Sequence, residues 1–188
     1  MGSSTRQYTG EDHMAENVLF QEYGVQDYID IVKQAASWTE TYEVTTEDGK
    51  YWVQSPDSEE DFSDYPMLIE KALYGGSAGI GLFYLRMYQA LNEENYLKTA
   101  KAAADHIIAT DEGTAFYDAI LNAENKVYDK LIHVKNMPGW KIGFYNGPTG
   151  GAYLALKLYE VTGEEKYKQY VIKAADDVLT VAKESPEG

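Results

Sequence analysis

The chain has 188 residues, 44% of them hydrophobic and 25% charged, which is the composition of one soluble globular domain with a sizeable core. Its 31 acidic and 16 basic residues give a formal net charge of −15, and such a surface repels nucleic-acid phosphates and anionic membranes. There is no cysteine, which excludes disulfides and cysteine-ligated zinc in this chain. No apolar run reaches the roughly 20 residues that span a bilayer.

The opening residues, MGSSTRQYTGEDH, contain neither the basic nor the hydrophobic region of a secretory signal. We therefore predict that residues 1–13 are a vector-derived, disordered segment. Residues 14–188 are predicted to form a single domain in the cytoplasm.

Two elements are predicted next. From Val25, VQDYIDIVKQAASW places apolar residues at helical spacing, which indicates an amphipathic helix. The stretch 41–54, TYEVTTEDGKYWVQ, alternates β-favouring residues around Asp48-Gly49, which predicts a small β-hairpin. The acidic stretch 55–66 is bounded by prolines and is predicted to be a solvated loop. A calcium loop is the alternative, but the ligand and glycine pattern of an EF-hand is missing.

An internal repeat dominates the rest of the chain. Residues 74–109 and 145–180 align without a gap, which is the signature of a repeated supersecondary unit. The matched residues are mostly glycines, tyrosines and acidic residues: Tyr74/Tyr145, Gly76/Gly147, Gly79/Gly150, Leu85/Leu156, Tyr88/Tyr159, Glu93/Glu164, Glu94/Glu165, Tyr96/Tyr167, Ala103/Ala174, Ala104/Ala175 and Asp105/Asp176.

Each repeat predicts an αα-hairpin that opens with a glycine-rich turn. The first helices, 78–91 and 150–161, are apolar almost all round and are expected to lie inside, whereas the second helices carry alanines on one side and charges on the other. Gly163 is expected to end one helix in a left-handed cap, and Asn92 and Thr162 to begin the next. The predicted fold is therefore all-α, with αα-hairpin repeats of a partial α/α toroid.

These glycine-opened hairpins, with YGGSAGIGLFYLRMYQ in one and FYNGPTGGAYLALKLYEVTGEEKYKQYVIKAADDVL in the other, resemble the lanthionine synthetase C-like (LanC) family of lantibiotic cyclases. The resemblance covers about residues 74–181 and implies an α/α toroid. It also implies, for the cyclases, a catalytic zinc held by two cysteines and a histidine from Trp-Cys-x-Gly and Cys-His-Gly motifs.

This chain departs from that zinc pattern. It has no cysteine, and neither His106 nor His133 lies in such a motif, so no metal ligand is assigned and no cofactor is expected. Two hairpins are too few for a six- or seven-hairpin ring. We therefore expect either an amino-terminal fragment that lacks its carboxy-terminal half or a short homologue that associates with itself through exposed apolar surface.

The glycine turns have two interpretations. A phosphate loop needs consecutive backbone N–H groups at a helix start, commonly with a lysine, and NGPTGGA has no following lysine. The recurrence of the turn in both repeats favours the alternative, in which the glycines allow an inner helix to begin against neighbouring backbone.

Candidate acids, bases and binding residues lie in the outer helices, in the segment between the repeats and at the glycine turns. Asp105, Asp176 and Asp177 lie in the outer helices, and the recurrence of Asp105 and Asp176 suggests a packing or hydrogen-bonding role. Asp118 and Asp129 are freer catalytic candidates. His106 is expected to be a solvated or capping histidine, and His133 is more typical of a half-buried residue than of a catalyst. The binding candidates lie at the glycine turns: Tyr74, Ser77, Trp140, Tyr145, Asn146 and Thr149.

Three functions follow as hypotheses. The leading one is a LanC-like protein or fragment without the cyclase zinc ligands, which binds a peptide or acts as a scaffold. The second is part of a carbohydrate-active six-hairpin enzyme that uses Asp118 or Asp129 with aromatic platforms. A Trp140–Tyr145 platform would suit a sugar or a peptide, but the pair is more typical of a hydrophobic staple over the helix start. The third is a repeat-type protein interaction module. Nucleic-acid and membrane partners are not expected.

Overall fold

A computed structural model of the protein describes residues 23–53, 72–111, 143–145 and 149–183. These residues form five helices and one two-stranded antiparallel sheet, which confirms the predicted all-α class with one small β-hairpin. The elements are α1 Val25–Glu40, β1 Glu43–Thr46, β2 Gly49–Trp52, α2 Ser77–Leu91, α3 Glu94–Ala109, α4 Thr149–Thr162 and α5 Glu165–Lys183. The predictions for residues 1–13 and for the acidic loop 55–66 lie outside the described residues.

Contacts divide the chain into two compact units between Ala35 and Ala36, within α1. In the first unit, the Gly24 N–H donates to the Asp27 carboxylate over 2.7 Å at the start of the helix. The ring centroids of Tyr23 and Tyr28 are 5.9 Å apart. All the elements that follow α1 belong to the second unit.

The β-hairpin forms where the alternating pattern predicts it. Glu43 pairs with Trp52 at one end and Thr46 with Gly49 at the other. The turn residues are therefore Glu47 and Asp48, one position earlier than the predicted Asp48-Gly49 turn. Gly49 still needs to be glycine, because its φ is +141° and a Cβ there would overlap the carbonyl oxygen of Ala102 on α3.

The two repeats end their first helices in the same way. Asn92 has φ 56° and Gly163 has φ 68°, both left-handed, and their N–H groups donate to the carbonyl oxygens of Tyr88 and Tyr159. The left-handed cap at Gly163 is confirmed. The prediction for Asn92 was wrong, because Asn92 ends α2 and Glu93 caps α3. Asparagine adopts this conformation more readily than most other residues that carry a side chain.

Thr162 contributes both to the end of α4 and to the start of α5. It is the last residue of α4, and its hydroxyl donates to the Leu158 carbonyl oxygen over 2.8 Å. The same hydroxyl accepts the N–H of Glu164 over 3.2 Å, just before α5 begins. It therefore assists the start of α5 from within α4.

The core is built from the inner helices, as predicted. Tyr84, Leu85 and Met87 of α2 are buried, and so are Leu154, Ala155 and Leu158 of α4. On the outer helix α3, the buried side chains include Ala100, Ala103 and Ala104, which confirms the close packing through alanines in the first repeat. Small side chains allow the helix axes to approach closely.

The second repeat is more open than the first. Leu85 is fully buried, whereas its counterpart Leu156 is 36% exposed, and Leu179 of α5 is 56% exposed. The difference has a visible cause, because β2 packs against the first repeat. There the Trp52 N–H donates to the Ser77 hydroxyl over 3.0 Å, and the Trp52 ring stacks on Tyr84 with centroids 6.1 Å apart. No described element covers α4 and α5 in this way.

The prediction that His106 is solvated or capping was wrong. Its side chain is 5% exposed, and its ring stacks on Tyr51 of β2 with centroids 4.9 Å apart. Its Nδ1 lies 3.3 Å from the Thr46 hydroxyl. The histidine is therefore part of the joint between the β-hairpin and α3, a tertiary contact that the local sequence does not reveal.

Candidate functional site

The two glycine turns meet in the structure. The Tyr74 N–H donates a hydrogen bond to the Tyr145 carbonyl oxygen over 2.9 Å, so the openings of the two repeats lie side by side. These residues are 71 positions apart in the chain and occupy equivalent positions in the repeat. The residues just before both inner helices therefore share one edge of the molecule.

The first glycine turn starts a helix. Gly76 is the extended residue before α2, and its carbonyl oxygen accepts the N–H groups of Gly79 and Ile80 at 3.1 and 3.4 Å. A Cβ at position 79 would overlap the Leu73 carbonyl oxygen. The Gly79 N–H, one of the first-turn donors that a phosphate would use, is thus already engaged. This geometry favours the helix-start interpretation of the glycines.

Three aromatic side chains, Tyr74, Phe144 and Tyr145, are exposed at the junction of the two turns, and we call them the aromatic rim. Their exposed fractions are 84%, 40% and 64%. Phe144 meets the ring of Tyr145 edge-on, with centroids 5.2 Å apart, and the ring of Tyr153 on α4 at the same distance. Tyr74 is joined to this group through its backbone bond to Tyr145. Exposed aromatic residues close together are typical of binding surfaces.

The remaining binding candidates fall into two groups. Ser77 is fully buried, and its hydroxyl accepts the Trp52 N–H, so it holds the β-hairpin and does not face solvent. Thr149 is half-buried, and its hydroxyl donates to the Gly143 carbonyl oxygen over 3.0 Å, which braces the second turn. Trp140 and Asn146 lie outside the described residues.

The acidic candidates form no catalytic pair among the described residues. Asp105 lies 2.6 Å from Lys166 Nζ, and neighbouring Lys101 lies 2.6 Å from Glu164, so these groups join the first outer helix to the start of the second. Asp176 is exposed on α5. The proposed catalysts Asp118 and Asp129, and His133 with them, lie outside the described residues.

The cyclase zinc does not fit this chain. Its ligand set needs two thiolates, and the sequence has no cysteine. In addition, no three histidine, aspartate or glutamate side chains converge on a metal-sized site within the described ranges. No reaction step through that metal is therefore derived.

Sequence reasoning missed Phe144 and Tyr153. Phe144 lies in the GFYNG stretch before the second turn, and the adjacent aromatic pair was the available signal. Tyr153 lies within the predicted inner helix 150–161, and no local pattern distinguishes it from the other residues of that helix. The contact between the two turns could not be derived, because it pairs residues of separate repeats.

Two αα-hairpins with apolar inner helices, opening side by side at glycine turns, define a repeat protein of the α/α toroid type. A family model described as lanthionine synthetase C-like protein matches residues 68–187, which is more than half of the chain. The chain therefore belongs to the lanthionine synthetase C-like family, and the resemblance drawn from the repeat motifs is confirmed. No curated protein and no solved structure shows significant similarity to it. Within the described residues, no helix is long and apolar enough to cross a bilayer.

Proposed function

We propose that this member of the lanthionine synthetase C-like family binds a peptide at the aromatic rim and serves as a scaffold, without the zinc chemistry of the cyclases. The observation that carries the proposal is the hydrogen bond from the Tyr74 N–H to the Tyr145 carbonyl oxygen. It brings together the backbone of two residues, one from each repeat, that carry exposed rings, and this supports a shared binding surface.

The chemistry of the rim suits a peptide. Tyrosine offers a flat apolar ring together with a hydroxyl that can donate to a peptide carbonyl or accept from a peptide N–H. Tyrosine is enriched among residues that contribute most to binding. It also loses little side-chain entropy on binding, because it has two rotatable bonds.

The part of the rim formed by Phe144 and Tyr145 is held in place before any ligand arrives. Phe144 packs edge-on between Tyr145 and Tyr153, and Thr149 is bonded to the carbonyl of Gly143 in the same turn. A preordered surface avoids part of the entropy cost of binding. This supports the rim as a recognition surface.

The test is to pan a displayed library of random short peptides on the immobilised full chain and to measure the selected peptides by calorimetry. We expect Tyr74→Ala and Tyr145→Ala each to weaken binding about 30-fold, equivalent to about 2 kcal/mol at a central aromatic residue. Tyr28→Ala is the matched control, because Tyr28 is a 58% exposed tyrosine on α1 that is not part of the rim.

Circular dichroism would establish that the variants retain their helices. The proposal would be wrong if no peptide were enriched. It would also be wrong if the selected peptides bound the Tyr74→Ala/Tyr145→Ala double variant as tightly as the unaltered protein.

A further inference from the structure

Tyrosine rings in this protein repeatedly lie beneath lysine ammonium groups. The three pairs and their distances from Nζ to the ring centroid are Lys157 over Tyr153 at 5.5 Å, Lys166 over Tyr167 at 4.8 Å and Lys168 over Tyr159 at 5.8 Å. A cation in this position is attracted by the negative face of the ring.

The rim tyrosines present the same ring chemistry without an internal cation. Tyr74 is 84% exposed and Tyr145 is 64% exposed. No lysine or arginine within the described ranges lies over either ring. The ring of Tyr74, and the side of the Tyr145 ring that Phe144 does not contact, are therefore available to a cation supplied by a ligand.

The charge of the whole protein favours the same kind of ligand. The formal net charge is −15, and a field of that sign concentrates cations and speeds their association. The amino termini of α2 and α4 lie close to the rim and act in the opposite direction. Each contributes only about half a positive charge, and its effect falls off within the first turn of the helix.

We propose that the aromatic rim selects peptides through lysine or arginine side chains, with the cationic group over the ring of Tyr74 or Tyr145 and its methylene groups along Phe144. This inference rests on the proposed peptide-binding function and deepens it, because it names the chemistry of the peptide. Long basic side chains suit such a surface, since they combine an apolar stem with a charged end.

The test uses three fluorescein-labelled peptides of equal length and equal aromatic content. They carry lysine, glutamine or glutamate at the same variable positions, and fluorescence anisotropy measures their binding to the full chain. We expect the order lysine, glutamine, glutamate from tightest to weakest. Each lysine that reaches a ring is expected to add about 2- to 5-fold in affinity over glutamine, as for an exposed cation–π contact.

Two variants separate ring recognition from the general attraction of the acidic surface. Tyr74→Phe/Tyr145→Phe keeps both aromatic faces, so the preference for lysine over glutamine should persist. Tyr74→Leu/Tyr145→Leu removes the aromatic faces at an unchanged net charge. In this variant the preference for lysine over glutamine that is measured at high salt should disappear. Added salt should reduce the remaining, long-range part in every variant.

The outcomes are distinct. Equal affinity for the three peptides, or tightest binding of the glutamate peptide, would overturn cationic selection while peptide binding itself stood. A lysine preference unchanged in the Leu variant would overturn the role of the rings. Failure of all three peptides to bind, together with failure of the library experiment, would overturn the proposed function and this inference with it.

Discussion

The hydroxyl of Tyr84 donates a hydrogen bond to the carbonyl oxygen of Ala36 over 3.1 Å. The same phenol oxygen hydrogen-bonds with the Thr39 hydroxyl over 2.8 Å, and the Thr39 hydroxyl oxygen lies 2.8 Å from the Ala36 carbonyl oxygen, so the two hydroxyl protons are shared among three contacts. Tyr84 is 1% exposed, so these bonds satisfy a polar group inside the core. They tie the end of α1 to the inner helix of the first repeat.

Tyr84→Phe is expected to destabilise the fold. The substitution leaves the Ala36 carbonyl and the Thr39 hydroxyl with one bond fewer in a buried site, which typically costs about 1–2 kcal/mol. Urea unfolding measures the change in the free energy of unfolding. Tyr88→Phe is the control, because Tyr88 is half-buried on the same helix and its hydroxyl makes no hydrogen bond with the described residues. Equal effects of the two substitutions would contradict the prediction.

Tyr167→Phe should change the free energy of unfolding in the opposite direction. Tyr167 is fully buried, and its hydroxyl makes no hydrogen bond of normal geometry within the described ranges. Burial, and then the charge of the nearby Asp105 carboxylate, raise its pKa, so Asp105 is the group that could act as its acceptor. Removing a buried hydroxyl without a partner removes a desolvation cost, so the free energy of unfolding should stay the same or rise by up to about 1 kcal/mol. The same urea series measures it. A loss as large as that of Tyr84→Phe would show that the hydroxyl has a partner.

The left-handed caps predict a matched pair of substitutions. Gly163→Ala should cost about 1–2 kcal/mol from its φ of 68° alone, since a Cβ at this position meets no atom within 4 Å. Asn92→Gly should be neutral or slightly stabilising, because φ is 56° and glycine adopts it freely. Thermal and urea unfolding of both variants check this. The same sign for both changes would argue against the assigned conformations.

Stability should fall in alkaline solution, and Tyr84 should contribute to the fall. Burial raises the pKa of the Tyr84 phenol above its ordinary value, although the hydrogen bond from Thr39 acts to lower it. A raised folded-state pKa contributes stability that is complete below the unfolded pKa of about 10 and is lost as the pH rises through the folded pKa.

Lys173 contributes in the same direction. Burial acts to lower the pKa of Lys173, but its hydrogen bond to Asp111 and the Asp111 charge outweigh burial, so the pKa is raised overall. Urea unfolding between pH 8 and pH 11 tests the contribution of Tyr84, because this range includes the ordinary pKa values of tyrosine and lysine. The free energy of unfolding should decline less in Tyr84→Phe than in the unaltered protein. A parallel decline in both proteins would exclude a contribution from Tyr84.

The expected self-association remains a prediction, and the open second repeat supports it. Leu156, Ile172 and Leu179 of α4 and α5 are at least 36% exposed. We expect a second copy of the chain to cover them, so that sedimentation at high concentration gives a mass above the 21.1 kDa of one chain. Added salt should promote the association by screening the −15 charge. Leu179→Glu should reduce it, and a monomer at all salt concentrations would contradict it.

The sequence predicted the repeat well because the repeat depends on patterns between residues that are close in the sequence. Helical spacing of apolar residues, a glycine at a left-handed cap and alanines on outer helices each depend on near neighbours. The Asn92 error was of the same local kind, since asparagine serves at either end of a helix. The boundaries of the inner helices consequently agreed with prediction to within one residue.

The candidate site was less accessible to sequence reasoning. Tyr74 and Tyr145 were singled out separately, but their contact depends on how two repeats pack. His106 was misassigned for the same reason, because its burial under Tyr51 is produced by a β-hairpin some 60 residues earlier. Contacts between distant segments leave no periodic trace in a single sequence.

The hydrogen bond between Trp52 and Ser77 makes the two ends of the array of helical hairpins different, because it fixes the β-hairpin at one of them. The helix α2 lies between β2, through the stacking of Trp52 on Tyr84, and α4, through the approach of Gly81 to Leu154. A further hairpin placed beside α4 and α5 would displace no described side chain. One inserted on the opposite side of α2 would have to remove Trp52 from the core. For the described part of the chain, lengthening of the array, by engineering or by duplication, is therefore open beside α4 and α5 and closed beside β2.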